Sequence, residues 1–290
     1  MPPRNQQTLT HPALVTGAGY WSGRDVRVEL HPAPIDAGVT FIRTDLAKSA
    51  RIPAHVSHRI ETPRRTVLKH QGATVEMVEH VMAALAALRV DNCEIRVDQP
   101  ELPGCDGSSL AYVEAIDGAG IAKQAAAKAQ LVVREVVRVG DDNAWIEASP
   151  PSHQGLSFKY HLDYGQDNAI GRQTLSLDVT PDVFRQELAS SRTFLLKSEA
   201  DWLRSQGLAS KATVKDLLIF GDEGPIDNEL RFPDECVRHK ALDLIGDLAL
   251  GGYDLVGHFV AHKTGHRLNA ELLRVLLQEG EVVGHRRRTA

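Results

Sequence analysis

Cysteine, aromatic side chains and long apolar runs are all scarce in this sequence. Three of its 290 residues are cysteine (Cys93, Cys105 and Cys236), and they form no CxxC pair. This odd number argues against a disulfide framework and a thiolate zinc site, and we expect Cys105 and Cys236 to be buried or inert. No apolar run approaches the roughly 20 residues that cross a bilayer, and the first residues lack a secretory signal pattern. We therefore expect a cytoplasmic protein without a transmembrane segment.

Neither sign of charge dominates the chain. Lys and Arg number 33 and Asp and Glu number 38, a net charge of −5. We therefore expect no general attraction to nucleic acid. The composition, 42% hydrophobic and 24% charged, is globular and excludes a collagen-like or wholly disordered chain. The length predicts two domains at roughly 150 residues each, and the thirteen histidines are where we look for chemistry.

Apolar patterning predicts strands and helices in both halves of the chain. Short strands fill residues 9–46, and an alanine-rich helix follows at 74–88 with a threonine as its N-cap. The polar, alanine-rich run at 122–129 lacks an apolar stripe, and we interpret it as a linker. It divides the chain into an N-terminal domain, 1–124, and a C-terminal domain, 125–290.

The clearest helix of the second half is predicted at 233–250. Proline and acidic residues open it, and two glycines close it. A strand at 255–262 and a helix at 268–277 follow, and we expect the arginine-rich tail after Gly284 to be loose.

Two of these helices carry a histidine at a similar place, in Val78-Glu79-His80 and in Val237-Arg238-His239. Each half can thus contribute a histidine-bearing helix to one site. On the second helix, His239, Asp243 and Asp247 recur every four residues, and each step turns about 40° around the axis, so the three share a face. A His–Asp pair at this spacing can bind a metal ion. The alternative is a surface ion pair, worth roughly a few tenths of a kcal/mol.

A catalytic zinc site needs three protein ligands, and His80 is the candidate for the third. Neighbouring positions on a helix point about 100° apart, so His80 can bind the metal while Glu79 reaches a bound water. The alternative is a hydrogen-bonded core histidine beside a surface glutamate. Metal-assisted hydrolysis needs three ligands and a base. The sequence supplies both, with His80, His239 and Asp243 as ligands and Glu79 as the base.

Other polar segments are weaker candidates. His266 falls on a glycine-flanked loop, where it can act as an acid that Asp247 orients or keeps charged. Residues 191–194 offer a hydroxyl for a developing oxyanion, and a helix N-cap is the alternative. His258 and His262 lie in a strand-like segment, and we interpret both as bystanders.

Five segments, in order along the chain, resemble the UDP-3-O-acyl-N-acetylglucosamine deacetylase family. They are Thr74 to Leu85, Asp106-Gly107-Ser108, Ser191-Arg192-Thr193-Phe194, Val237 to Asp247, and Thr264 to Asn269. Matching runs extend over nearly the whole chain. The resemblance implies an α+β fold of two similar domains, each a β-sheet packed on helices, with the active site between the helical layers. It also implies a zinc hydrolase that releases acetate from an acylated UDP-N-acetylglucosamine in lipid A synthesis.

The resemblance further implies a role for ten residues of this sequence. They are the Zn²⁺ ligands His80, His239 and Asp243; the general base Glu79; the charged acid His266 with Asp247 beside it; the oxyanion donor Thr193; and the substrate contacts Phe194, Lys240 and Lys263, the lysines near the nucleotide phosphates.

The chain departs from the family's usual pattern at positions where substrate would lie. These are Tyr20 and Trp21, with the loss of a histidine; Arg64 and Arg65 in place of small or apolar residues; Ala144 in place of a basic residue; and Leu195 in place of glycine. They leave open a divergent paralogue that deacylates a different N-acyl sugar nucleotide. A non-catalytic sugar-nucleotide or lipid-binding descendant is a third hypothesis, which the intact set of ligands and base disfavours.

Overall fold

The computed structural model describes residues 3–152, 155–208, 213–214 and 216–284. The predicted loose tail lies outside these residues. The strands are β1 (Asn5–Leu9), β2 (Ala13–Ala18), β3 (Asp25–Pro32), β4 (Val39–Arg43), β5 (Ala50–Pro53), β6 (Arg59–Ile60), β7 (Val67–His70), β8 (Ala73–Glu76), β9 (Cys93–Val97), β10 (Ile121–Ala127), β11 (Gln130–Val132), β12 (Val137–Gly140), β13 (Trp145–Ser149), β14 (Leu156–Asp163), β15 (Arg172–Asp178), β16 (Phe194–Leu196), β17 (Leu218–Phe220), β18 (Asp254–His262) and β19 (Glu281–Val283). The helices are α1 (Glu79–Ala87), α2 (Leu110–Ala119), α3 (Pro181–Val183), α4 (Lys197–Ser205), α5 (Glu235–Leu248) and α6 (His266–Glu279).

The N-terminal half is built on a five-stranded sheet in the order β2-β3-β9-β4-β5. Neighbouring strands are antiparallel except β4 and β9, which run parallel. In β3 the buried residues Val26, Val28 and Leu30 alternate with more exposed ones, so one face of the sheet packs on the core. This confirms the strand prediction from the period-two pattern.

The helix predicted at 74–88 begins later than expected. Residues 73–76 form β8, which pairs with β7, so the prediction of Thr74 as an N-cap is wrong. The β-branched Thr74 and Val75 suit a strand, and Met77 turns the chain with a φ of +59° before α1 starts at Glu79. Almost every residue of α1 is buried, as is typical of a helix at the centre of a protein.

The linker predicted at 122–129 is also wrong. Most of it belongs to β10, which pairs antiparallel with β1 from the start of the chain. Its alternating side chains are half-buried or exposed, so the apolar stripe that marks a core strand is absent from the sequence. The division into domains 1–124 and 125–290 falls inside this strand and stays a proposal.

A seven-stranded sheet forms the C-terminal half. Five of its strands have the order β12-β13-β18-β11-β19. In addition, β14 pairs in parallel with β18, and β15 pairs with β14. The buried residues of β18 alternate with half-buried ones that include His258 and His262. The ring of His262 stacks on Trp145, with 5.9 Å between centroids. Helices α5 and α6 pack against this sheet and match the helices predicted at 233–250 and 268–277.

The two halves share one hydrophobic core. It runs from the N-terminal sheet through α1 and α5 to the C-terminal sheet, so α1 and α5 form the central layer. This arrangement confirms the α+β class. None of the helices in the described ranges is both long and apolar enough to cross a membrane. Cys236 is buried, and burial raises the pKa of the half-buried Cys105 thiol to about 12, as expected for inert cysteines.

Candidate metal centre and active site

The central helices bring three ligand-type side chains together. His80 is the second residue of α1, and His239 and Asp243 lie one turn apart on α5. Oδ1 of Asp243 is 3.3 Å from Nε2 of His239 and 3.7 Å from Nε2 of His80. All three residues are buried, with exposures of 4% or less. The alternative of a surface ion pair is therefore wrong.

These side chains fit a tetrahedral metal ion. Their ligand atoms all lie within 4.8 Å of one another. Atoms that bind zinc at its usual distance of about 2.0–2.1 Å stand roughly 3.3 Å apart at tetrahedral angles. Two imidazole nitrogens, one carboxylate oxygen and an open fourth position are the arrangement of a catalytic zinc site. No second group of this kind occurs among the residues that the structure describes.

Neighbouring groups prepare the ligands for a metal. Nδ1 of His239 is 3.0 Å from the Ser191 carbonyl oxygen, which can only accept, so Nδ1 carries the proton and Nε2 is left for the metal. Lys240 donates to Oδ2 of Asp243 at 2.7 Å. Burial alone would raise the pKa of Asp243, but His239 and Lys240 hold it well below its usual range. Burial also lowers the pKa of His80 to about 3, which keeps the ring neutral, the form that binds metals.

Glu79 lies next to this group, in the first turn of α1. It is buried, and the backbone N–H of Thr66 donates to its Oε2 at 3.0 Å. Burial raises the pKa of Glu79 to about 7; His266 opposes the shift, and Asp243 and Asp247 add to it. A carboxyl group that titrates near neutral pH is suited to take up a proton and release it.

Asp247 of α5 pairs with His266. Nδ1 of His266 is 2.8 Å from Oδ2 of Asp247, which also accepts from Asn269 at 2.8 Å, while Thr66 donates its hydroxyl to Oδ1 at 2.6 Å. Burial alone would lower the pKa of His266, but Asp247 raises it to about 9, so the ring is protonated at neutral pH. The loop position predicted for His266 is wrong: it is the first residue of α6, because that helix begins directly after Gly265.

Thr193 lies in a loop that is held from both sides. Its N–H donates to the carbonyl of Gly107 at 2.7 Å. Gly107 has a φ of +84°, and a Cβ there would stand 2.6 Å from a neighbouring backbone carbonyl, so only glycine fits. The preceding Arg192 is buried and pairs with Glu235, Nε to Oε1 at 2.8 Å. The alternative of a helix N-cap is wrong, because this segment leads into β16.

A cavity of about 440 Å³ opens onto these residues. Its lining includes the three candidate ligands, Glu79, His266 and Thr193, and also all three predicted substrate contacts, Phe194, Lys240 and Lys263. Asp247 does not line it and contacts it only through His266. Further lining residues are the cation Arg267 and the apolar Met77, Leu195, Leu203 and Leu217. The cavity therefore offers both charged and apolar walls around the candidate metal centre.

A profile of the LpxC family, UDP-3-O-acyl N-acetylglycosamine deacetylase, matches residues 6–278 of the chain. The chain belongs to this family. Relatives include the UDP-3-O-acyl-N-acetylglucosamine deacetylases of Brucella ovis and Brucella canis. Each is 38% identical over 276 residues, which are 94% of this chain and 96% of the relative.

Two arginines depart from the deacetylase family's pattern, and each has its own carboxylate partner. Arg64 donates to Oε1 of Glu199 at 2.8 Å, which bridges the loop between β6 and β7 to α4. Arg65 donates to Oε2 of Glu76 at 2.8 Å, and its guanidinium lies 4.4 Å from the centroid of the Trp21 ring. The charges of both arginines are therefore balanced within the protein.

The remaining departures from the family's pattern lie in the cavity wall. They are Tyr20, Trp21, Ala144 and Leu195. The Tyr20 hydroxyl donates to the carbonyl of Asp216, and the backbone N–H of Trp21 donates to Oε1 of Glu101 at 2.8 Å. These changes surround the candidate metal centre without replacing any of its ligands.

Sequence reasoning missed three residues that hold the site. No sequence motif marks Thr66, because its place in the site depends on a loop that folds back beside α1. Ser191 contributes a backbone carbonyl, which any residue type supplies. Asn269 lies three residues after His266, and this helical spacing is a signal that could have placed both on Asp247.

Proposed function

We propose that this chain is a zinc-dependent deacetylase that removes the N-acetyl group of UDP-3-O-acyl-N-acetylglucosamine and releases acetate in lipid A synthesis. One observation carries the proposal: His80, His239 and Asp243, a set that fits Zn²⁺, share a cavity with the carboxyl base Glu79 and the protonated His266. The relatives are deacetylases of this substrate by name, which supports the same reaction. A non-catalytic descendant is disfavoured, because binding alone needs neither a base nor an acid.

Each group has a defined task in this reaction. When bound, Zn²⁺ supplies a Lewis acid and lowers the pKa of a water that it holds. Glu79 takes a proton from the attacking water, and the Thr193 hydroxyl donates a hydrogen bond to the amide oxygen as it becomes negative. His266 gives its proton to the departing nitrogen, and Asp247 keeps its ring oriented and charged. The acetyl carbon gains an oxygen and loses its nitrogen, which yields acetate and a free amine.

The cavity lining suits an acylated sugar nucleotide. Lys263 and Arg267, which flank the start of α6, are placed to pair with phosphates. Lys240 donates to Asp243, so we assign it first to the metal centre and only then to substrate. The apolar Leu203 and Leu217 offer a wall to an acyl chain.

A second candidate function is deacylation of a different N-acyl sugar nucleotide. Trp21, which stands where the family usually has a histidine, favours it because a bulky ring lines the cavity. Arg64 and Arg65 weigh against it. Glu199 and Glu76 already neutralise their charges, so the arginines do not need an anionic group of a substrate as a partner.

The test is acetate release from the acylated UDP-N-acetylglucosamine by protein of measured zinc content. We expect release that requires zinc and that falls about 10²–10⁴-fold in Glu79→Gln, the range for loss of a general base. Glu114→Gln, the same change on the exposed face of α2, serves as the control and should leave the rate unchanged. One equivalent of bound zinc without acetate release would overturn the proposal in favour of another substrate.

A further inference from the structure

Thr66 contacts both the candidate base and the candidate acid pair. Its N–H donates to Oε2 of Glu79 at 3.0 Å, and its hydroxyl donates to Oδ1 of Asp247 at 2.6 Å. Thr66 is 1% exposed, so water does not compete for these bonds. It is the residue through which the loop between β6 and β7 reaches α1 and α5 at the same time.

The Thr66 hydroxyl holds the side of Asp247 that α6 does not reach. His266 and Asn269, both on α6, contact Oδ2 of Asp247, whereas Thr66 contacts Oδ1. A carboxylate held at only one oxygen can rotate about its last bond, and the ring bonded to it then loses its orientation. The donor on Oδ1 therefore decides how firmly Asp247 aims His266 at the cavity.

We propose that Thr66 is a positioning residue, which keeps the base Glu79 and the acid His266 in a constant relation to each other, the second of them through Asp247. This inference rests on the proposed function, since it assigns Thr66 to the same reaction. Thr66 does not line the cavity, so it acts on the reaction only through Glu79 and Asp247.

Substitution of the hydroxyl tests the proposal directly. Thr66→Val keeps the shape and the backbone N–H to Glu79 but removes the donor to Asp247. We expect kcat to fall about tenfold or more with KM changed less than about twofold, as for loss of an outer partner of a functional group. Thr66→Ser restores the hydroxyl and should recover most of kcat.

A second buried threonine provides the matched control. The hydroxyl of Thr8 donates to the Asn92 carbonyl at 2.7 Å, and neither residue lines the cavity. Thr8→Val should cost stability, because it removes this bond and the one that the hydroxyl accepts from the Ala33 N–H at 2.9 Å, but it should leave kcat unchanged. An equal fall of kcat in both valine variants would reduce Thr66 to a purely structural residue and overturn the proposal.

Two further measurements separate positioning from general damage. If Thr66 acts through Asp247, Thr66→Val should cost nothing more once Asp247→Asn is present, and independent, multiplying losses would contradict this. In the proton NMR spectrum, the Nδ1–H signal of His266 should shift or broaden in Thr66→Val and not in Thr8→Val.

The spectrum needs no turnover, so it distinguishes the two proposals. A wild-type protein that releases no acetate refutes the proposed function, while the His266 signal still reports on Thr66. Acetate release with kcat and the signal unchanged in Thr66→Val refutes the positioning role alone.

Discussion

Gly246 of α5 lies against the backbone of Glu79 in α1: a Cβ on Gly246 would stand 2.0 Å from the Glu79 carbonyl oxygen. The two helices can approach this closely only because position 246 has no side chain. The distance between the two helices bears directly on the 3.7 Å that separates Nε2 of His80 on α1 from Oδ1 of Asp243 on α5. We therefore expect this glycine to govern how closely the two halves of the candidate metal centre approach each other.

Gly246→Ala should damage the metal centre as well as the fold. The added methyl group must push α1 and α5 apart, at a cost of about 1–3 kcal/mol for overpacking a core. Chemical denaturation and zinc titration would measure the two effects, and we expect weaker zinc binding together with the lower stability.

Gly118 of α2 is the matched control for this helix glycine. A Cβ there meets nothing within 4 Å, so Gly118→Ala should stabilise the protein, by up to about 1 kcal/mol from helix propensity. Zinc binding that survives unchanged in Gly246→Ala would show that the helix contact does not set the ligand geometry.

The rate of acetate release should follow a bell-shaped curve with pH. The base Glu79 must be a carboxylate, so activity rises as pH increases through its pKa, about 7, and a bound cation moves this limb lower. The acid His266 must be protonated, so activity falls as pH increases through its pKa, which is about 9 without the metal and which a bound cation also moves lower. We expect kcat/KM to be highest between these limbs.

His266→Gln identifies the group behind the alkaline limb. The variant should be slower at every pH, because it lacks the acid, and its rate should no longer fall along the alkaline limb. A variant whose alkaline limb is unchanged would assign that limb to another group.

How much of the fold could be predicted depended on whether an element carries its own signals. The helix α5 was predictable, because proline and acidic residues mark its start and glycines its end. The strand β10 was not, because its alanine-rich sequence favours a helix and only its pairing with β1 makes it a strand. The start of α1 was missed because β8 takes the residues before it into a sheet with β7.

The residues of the candidate site likewise fall into those that the sequence could place and those that it could not. His239, Asp243 and Asp247 could be placed on one face from helix geometry, and burial of that face agrees with the placement. His80 could be joined to His239 and Asp243 because a metal site needs a third ligand, whereas contacts of residues outside any motif could not be placed, because they depend on backbone geometry that the sequence pattern does not record. The hydrogen bond from Thr66 to Asp247 joins positions in the two halves of the chain and is of this kind.

Metal should stabilise the protein through His239. A ligand that binds only the folded state adds about 2.7 kcal/mol at a hundredfold excess over its Kd, so chelation should lower the melting temperature and zinc should restore it. His239→Ala should lose this response. His262→Ala, which removes a histidine of β18 outside the cavity lining, should keep it. A zinc-dependent rise that persists in His239→Ala would remove this residue from the ligand set.

The ion pair between Arg64 and Glu199 joins two parts of the cavity wall, the loop between β6 and β7 and the helix α4. That loop ends at Thr66, whose N–H donates to Glu79, so we expect the position of the loop to affect the reaction. Arg64→Glu would set two carboxylates against each other and push the loop from α4. We expect kcat/KM to fall by about fivefold at low salt and by less at high salt, because salt screens half-exposed charges.

Removal of the second charge should reverse this loss. Glu199→Gln in the Arg64→Glu background abolishes the repulsion. The glutamine side chain still has an oxygen that can accept the hydrogen bond from the Leu196 N–H at the start of α4, as Glu199 does. Lys197→Glu is the matched control: it sets a carboxylate against Asp201 on the same helix, in an exposed pair. The bridge to α4 matters for the reaction if Glu199→Gln rescues Arg64→Glu and Lys197→Glu costs nothing. An equal loss in Lys197→Glu would instead point to the charge or stability of α4 itself.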